Sequence, residues 1–294
     1  MRLRLPLAVA LSALLAAAAH AQSPTSSGGP DLRSPTLGEE VPYIRTPQLV
    51  VDKMLDLAEV GADDFLIDLG SGDGRIVITA AQKRGARGFG VEIDISLVEA
   101  SNEAARKAGV AERAHFFARD LFDTDIREAS VLTMYLLPEV NLQLRPRLLA
   151  QLKPGTRVVS HDWDMGEWRP DARIALEGLT KPVMPIQTST VYLWIVPARV
   201  AGSWRLQIES AGAEEMMELD FTQRFQEISG VARRGRGRTM LQSAHLRGPE
   251  IRFAVIDEAR RPSEPLHFFG RVYGDAMEGT TGAGRRWRAQ RKAE

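Results

Sequence analysis

Leu66-Ile-Asp-Leu-Gly-Ser-Gly-Asp-Gly-Arg-Ile-Val77 is an apolar run that breaks into three glycines and two acids, then resumes with helical spacing. Phe65 to Leu69 has the length and bulk of a buried strand, and Arg75 to Arg84 reads as a helix. The glycines at 70, 72 and 74 permit a sharp turn and leave no Cβ between the backbone and a ligand. Strand, glycine turn and helix in that order put the turn at the carboxyl end of a strand, where open α/β sheets bind their ligands.

The surrounding sequence repeats this grammar. Pro47 to Val60 reads as a helix, Gly88 to Ile93 as a strand, and Leu97 to Ala108 as a helix with Gly109 closing it. His115 to Ala118 and Ser130 to Leu136 are strands, and Pro138 starts a helix running through Leu152. Arg157 to Ser160 and Val191 to Val196 complete the set. Strict alternation of this kind predicts a doubly wound, Rossmann-like α/β sheet of parallel strands with helices on both faces. After Ala201 the helical period disappears. Met217, Leu219 and Phe221 alternate with Glu218, Asp220 and Thr222, and Ile251, Phe253 and Val255 alternate with Arg252 and Ala254. Such strands, punctuated by glycines, predict a small antiparallel all-β domain, barrel-like. Charge changes with the grammar: residues 22–201 carry 20 Lys/Arg against 25 Asp/Glu, whereas residues 202–294 carry 16 against 13. The chain is therefore read as residues 1–21, 22–40, 41–201 and 202–294, with a domain boundary at Ala201-Gly202.

Three details separate the glycine turn from a dinucleotide site. Its spacing is Gly-x-Gly-x-Gly, it carries Asp68 and Asp73, and a further acid, Asp120, closes the third strand. Two carboxylates would repel a pyrophosphate, but they suit S-adenosylmethionine (SAM), which brings an ammonium and a sulfonium. Glu92 ends the second strand about 20 residues on, where an acid can bind ribose hydroxyls. Asp120 is placed to accept from the adenine amino group. Asp68, Gly70, Ser71, Gly72, Asp73, Gly74, Glu92, Asp120 and Leu121 are thus the expected cofactor bed.

Val41-Pro-Tyr-Ile-Arg-Thr-Pro47, Asp68 to Val77, Gly90-Val-Glu92, Arg119-Asp-Leu-Phe122 and Trp168-Arg-Pro170 together resemble the seven-strand lysine methyltransferases related to the mitochondrial enzymes acting on the ATP synthase c-subunit and the adenine nucleotide translocase. The resemblance covers under half of the chain. It implies the seven-strand methyltransferase fold, SAM as cofactor and a protein lysine as acceptor. The chain departs from those enzymes in its N-terminal leader, its Tyr135-Leu-Leu-Pro138 element and the added β domain.

An amine acceptor must arrive neutral, because an ammonium has no lone pair, and a dry aromatic-lined slot favours the neutral form. Tyr135, at the carboxyl end of the fourth strand, and Tyr43, ahead of the first helix, are the expected catalytic aromatics, with Trp163 and Trp168 completing the wall. His161, Asp162 and Asp164 have a spacing that could hold a cation, but no second histidine cluster supports them, so no metal is expected. The Arg233 to Arg238 run lacks interleaved aromatic residues and reads as a solvated hairpin loop, so no nucleic acid partner is expected.

Formal net charge is zero and 26% of residues are charged, which points to no polyanionic partner. The chain has no cysteine, which excludes disulfides, thiolate metal sites and lipidation at a cysteine. Arg2 and Arg4 precede an apolar stretch, Leu5 to Ala19, and Ala19-His20-Ala21 offers a small-x-small cleavage site. This is the layout of a secretory signal peptide, shorter than the ~20 residues of a spanning helix. The expectation is an exported protein, periplasmic or secreted, with no stable membrane insertion of the mature chain, and the alternative is an anchor at an uncleaved N-terminus. Ser23 to Glu40 reads as a flexible linker. A protein-lysine methyltransferase whose β domain recognises the acceptor is the leading reading. A small-molecule methyltransferase and a non-catalytic SAM-fold binding protein stand beside it. The sequence does not specify an oligomeric state.

Overall fold

The computed structural model describes residues 44–178, 188–209, 215–256 and 264–293. Tyr43, the leader and the linker lie outside them.

The first sheet has seven strands: β1 Phe65–Leu69, β2 Arg87–Glu92, β3 Ala114–Ala118, β4 Val131–Met134, β5 Arg157–His161, β6 Ala172–Leu176 and β7 Ser189–Ile195. Their spatial order is β3-β2-β1-β4-β5-β7-β6. The first five are parallel, whereas β7 runs antiparallel to both β5 and β6. The all-parallel expectation is corrected here: a hairpin-like return inserts β7 between β5 and β6. Helices α1 Gln48–Leu57, α2 Arg75–Arg84 and α3 Ile95–Lys107 contribute to one apolar cluster, with Leu66, Val131, Val159 and Val191. Helix α4 Pro138–Gln151 packs Leu144 and Leu148 into the other cluster, with Ile67, Leu132, Val158 and Trp194. Successive residues of β1 thus feed opposite faces, as the strand's two-residue period requires. Gly109, in the left-handed region, closes α3 as expected.

The second sheet is antiparallel throughout: β8 Gly202–Ile208, β9 Glu215–Arg224, β10 Glu227–Arg234, β11 Gly237–Met240, β12 Gln242–Arg247, β13 Glu250–Ile256, β14 Pro265–Tyr273, β15 Ala276–Thr281 and β16 Arg286–Arg291. The order β11-β10-β9-β8-β16-β15-β14-β13-β12 pairs the last strand with the first and bends the sheet into a nearly closed barrel. The backbone N–H of Leu241 donates to Gly230 O, extending the β10–β11 ladder to the residue that leads into β12. Inside lie Trp204, Phe253, Phe268 and Trp287, and the Phe253 and Phe268 rings stack at 4.7 Å. Gly270 makes that filling possible, since a Cβ there would stand 2.3 Å from the Trp287 ring. Arg233 to Arg238 spans the exposed β10–β11 hairpin.

The two sheets interlock. Ala198 and Val200, in the connection between them, belong to the barrel's core. The Gln223 side chain accepts from Val200 N–H and donates to Ala198 O, while the Trp204 indole donates to Val200 O. In return, Phe225 in the two-residue β9–β10 turn packs on the α/β core, its ring stacked on Trp168 at 6.3 Å. Gln226 Nε2 donates to Arg169 O at 2.6 Å, and Arg224 pairs with Glu167 at 2.7 Å. Phe225 adopts φ +56, a left-handed conformation costly for a bulky residue, so packing holds the turn against its local preference. No helix among the described residues is long and apolar enough to cross a membrane.

Candidate active site

The glycine turn leaves β1 at the carboxyl edge of the sheet. Gly70, Gly72 and Gly74 have φ of +73, +51 and +76. A Cβ on Gly74 would lie 2.6 Å from the Phe116 ring, so the turn is closed from beneath as well as left-handed. The loop is tied down by groups that the pattern of motifs did not reveal. Ser101 Oγ of α3 donates to Gly72 O at 2.9 Å, and Asn102 bridges to the Phe116 backbone in both directions.

The acids divide into distinct tasks. Asp68 is 1% exposed; its Oδ1 accepts from Thr133 Oγ1 at 2.7 Å, while its Oδ2 has no protein partner. Burial pushes its carboxyl up to about 8, with Glu92 and Asp73 adding repulsion and the Thr133 hydroxyl opposing the rise. The Ser71 hydroxyl is also buried and unpartnered. Two orphaned polar atoms beside a left-handed glycine turn fit a ligand carrying a cationic amine, because buried polar groups are otherwise paired. Asp73 is engaged differently: the Arg75 guanidinium forks onto it at 2.5–3.1 Å and also donates to Thr46 O at 2.7 Å. Asp73 therefore links the loop to the segment ahead of α1, whereas Asp68 keeps one oxygen turned away from any protein donor.

Glu92 ends β2 with Oε2 accepting from Gly72 N–H at 2.9 Å and Oε1 accepting from Ile93 and Asp94 N–H. Asp120 caps the short 3-10 turn Leu121–Asp123 by accepting from Phe122 N–H at 2.7 Å. Leu121 is half-buried beside it. Arg147 of α4 secures this turn by donating to the carbonyls of Leu121, Phe122 and Thr124. A lone arginine in a helix gives no sequence signal for such a role.

Tyr135 follows β4, which lies between β1 and β5, so it stands between the glycine loop and the β5 exit. Its hydroxyl donates to Asp162 Oδ2 at 3.2 Å. Burial and the Asp162 charge hold the phenol protonated well above its ordinary range. Tyr135 is thus a hydrogen-bond donor at neutral pH. Its ring lies against His161 with centroids 3.9 Å apart. His161 is wholly buried, with Nδ1 3.2 Å from Thr46 Oγ1 and Nε2 3.0 Å from Ser189 Oγ. His161, Asp162 and Asp164 do not converge as a metal set: Asp164 turns to Gly166 N–H at 2.9 Å.

Trp163 is half-buried at the β5 exit. Trp168 is 0% exposed between Trp194 and Phe225, with its backbone carbonyl accepting from the Trp194 indole. It is a core residue, and its assignment to the acceptor wall is corrected.

A family model described as the ANTKMT methyltransferase domain matches residues 68–172. A protein-lysine N-methyltransferase of Saccharolobus islandicus is 43% identical over 157 residues, covering 53% of this chain and 94% of the relative. The mouse adenine nucleotide translocase lysine N-methyltransferase is 33% identical over 143 residues, with 49% of this chain and 62% of that enzyme aligned. Among solved structures, one of an RNA methyltransferase from Salinibacter ruber with S-adenosyl-L-homocysteine (SAH) shares 54% identity over 53% of this chain and 96% of its own, at a TM-score of 0.49.

Proposed function

The chain belongs to the family of SAM-dependent protein-lysine N-methyltransferases, and from that premise we propose that it methylates a lysine of an exported protein. The observation that carries the site assignment is the buried Asp68 carboxyl with one oxygen unpartnered at the mouth of the glycine turn.

SAM supplies an electrophilic methyl group when bound. In this reading Asp68 holds its ammonium, Glu92 its ribose hydroxyls, and Asp120 with Leu121 its adenine. Gly70, Ser71, Gly72 and Gly74 let the backbone approach, and Asp73 keeps the Thr46 segment in place through Arg75. Tyr135 shapes the acceptor side and keeps its own proton. Tyr43 lies outside the described residues, and its catalytic role is carried as part of the proposal.

The leader read at residues 1–21 supports an acceptor outside the cytoplasm; N-terminal sequencing of the mature protein tests cleavage after Ala21. The acceptor class is tested by incubating the purified protein with radiolabelled SAM and a cell-envelope extract. Label is expected in protein, at lysine after hydrolysis. Label confined to RNA or to small molecules would replace the lysine reading, and no label at all would favour a binding protein.

Glu92→Ala is expected to cost roughly 2–4 kcal/mol of SAM affinity by calorimetry, since a carboxylate shared between ligand and loop is lost. Glu92→Gln, which keeps one acceptor oxygen, should fall between. Unchanged affinity in the alanine variant would remove the ribose assignment.

Tyr135→Phe is expected to leave SAM affinity within about twofold and to lower turnover by roughly tenfold, as expected of a group on the acceptor side. The opposite pattern, normal turnover with weakened SAM binding, would place Tyr135 in the cofactor bed.

A further inference from the structure

Asp68 and Thr133 face each other directly in the pairing of β1 with β4. They are 1% and 0% exposed, in strands whose other residues are apolar. A hydroxyl in the middle of such a strand must find a partner or stay buried at a cost. The register neighbour of Thr133 toward β5 is Val159, which offers no side-chain acceptor. Its Oγ1 turns the other way and donates to Asp68 Oδ1 at 2.7 Å. The neighbour of Asp68 toward β2 is Gly90, which has no side chain, and a Cβ there would stand 2.5 Å from Ser71 Oγ. The Asp68 carboxylate is thus held from the β4 side alone. One oxygen is tied to Thr133, while the other, like the Ser71 hydroxyl, has no partner.

We propose that Thr133 is a positioning residue of the cofactor bed: its hydroxyl fixes the Asp68 carboxylate so that the free oxygen meets the ammonium of SAM. This rests on the reading of Asp68 as the ammonium's partner and names what prepares it. The hydroxyl acts in two ways, both through Asp68. It locks the side-chain rotation, so that ordering is complete before the ligand arrives. It also donates to the ionised carboxylate and so favours the charge that an ammonium needs. The groups facing Asp68 are Glu92 at the end of β2, Asp73 in the glycine turn and Thr133 on β4. Burial and the two acids oppose its ionisation, and the Thr133 hydroxyl supports it.

The test compares two ligands on the full chain by calorimetry: SAH, and methylthioadenosine, which keeps the adenosine and the sulfur but lacks the amino acid. Thr133→Val, close in shape and without the hydroxyl, is expected to bind SAH about tenfold more weakly at about pH 7. Methylthioadenosine affinity should stay within about twofold of wild type, which also shows that the variant is folded. The SAH affinity of Thr133→Val should go on rising to higher pH than that of wild type, because a carboxyl without its donor keeps its proton longer. Thr133→Ser, which restores the hydroxyl, should return both affinity and pH profile toward wild type. Equal loss of both ligands would make Thr133 a structural residue and overturn the proposal, as would a valine variant with wild-type affinity and pH profile. Wild-type protein that binds SAH no better than methylthioadenosine would overturn the ammonium reading beneath it as well.

Discussion

Asp68→Asn is expected to weaken SAM binding by roughly 10²- to 10³-fold and to flatten its dependence on pH. The wild-type carboxyl, pushed up to about 8, carries a proton in the ligand-free protein at neutral pH. A bound ammonium favours the ionised form, so binding expels that proton. Affinity should therefore climb by up to about tenfold per pH unit as pH rises toward 8, then level off. Asparagine has no proton to release and no charge to offer, so both the affinity and the slope are lost. Stability runs the other way. Because the folded pKa is raised, the ligand-free protein is most stable below the unfolded carboxyl's ~3.9 and loses that contribution as pH rises through about 8. The asparagine variant, without SAM, should then melt higher than wild type at about pH 9. Calorimetry across about pH 6 to 9 and melts at its ends check both signs; a variant with wild-type slope would show that another group carries the linkage.

The second large effect concerns the barrel. A chain ending at Ala201 is expected to lose about 10 °C or more in melting temperature, or to aggregate, despite containing every motif residue of the site. The boundary between Ala201 and Gly202 marks a change of sheet, but each side lends residues to the other's core. Removing the barrel strips Phe225 from the wholly buried Trp168 and leaves Ala198 and Val200 without cover. At ~25 cal/mol per Å², uncovering ~100 Å² of apolar surface costs ~2.5 kcal/mol, a large share of the ~5–15 kcal/mol that stabilises a domain. The Gln223 side chain's bonds to the connecting strand are lost as well. Phe225→Ala in the full chain should give a smaller fall in the same direction. A truncated protein that is monomeric, binds SAM and melts within a few degrees of the whole would show that the interlock is dispensable.

Much of the α/β half was legible because its signals are local. The glycine turn, the helix from Arg75 to Arg84 and the Gly109 closure each follow from a few adjacent residues, and they lie where they were expected. The inward alternation of Met217, Leu219 and Phe221 was equally plain. Features set by distant partners were not legible. Strand β6 is a five-residue edge that half-buries Ala172, Ile174 and Leu176 on one face and exposes Arg173 and Ala175 on the other, a period too short and too weakly apolar to stand out. The reversal of β7 depends on which strand it finds, and nothing within Ser189–Ile195 encodes direction. Two tryptophans after the fifth strand looked alike, yet Phe225 makes one of them core. The same applies to the site: the acids at 68, 73, 92 and 120 announce themselves by spacing, whereas the divergence of Asp68 from Asp73 comes from Thr133 and Arg75.

The Phe225–Trp168 contact also sets an order of events during synthesis. Trp168 leaves the ribosome 57 residues ahead of the side chain that covers it, which at ~5–20 residues per second is a delay of roughly 3–11 s. The cover is not secure even then. β8 must await β16 for its second neighbour, and so the sheet carrying Phe225 closes only once Arg286–Arg291 have emerged. A nascent chain thus displays an aromatic patch on its finished half until its unfinished half is complete. Substitutions deep in the barrel, such as at Gly270 beneath Trp287, should first be felt as aggregation of the catalytic half while the chain is still being made.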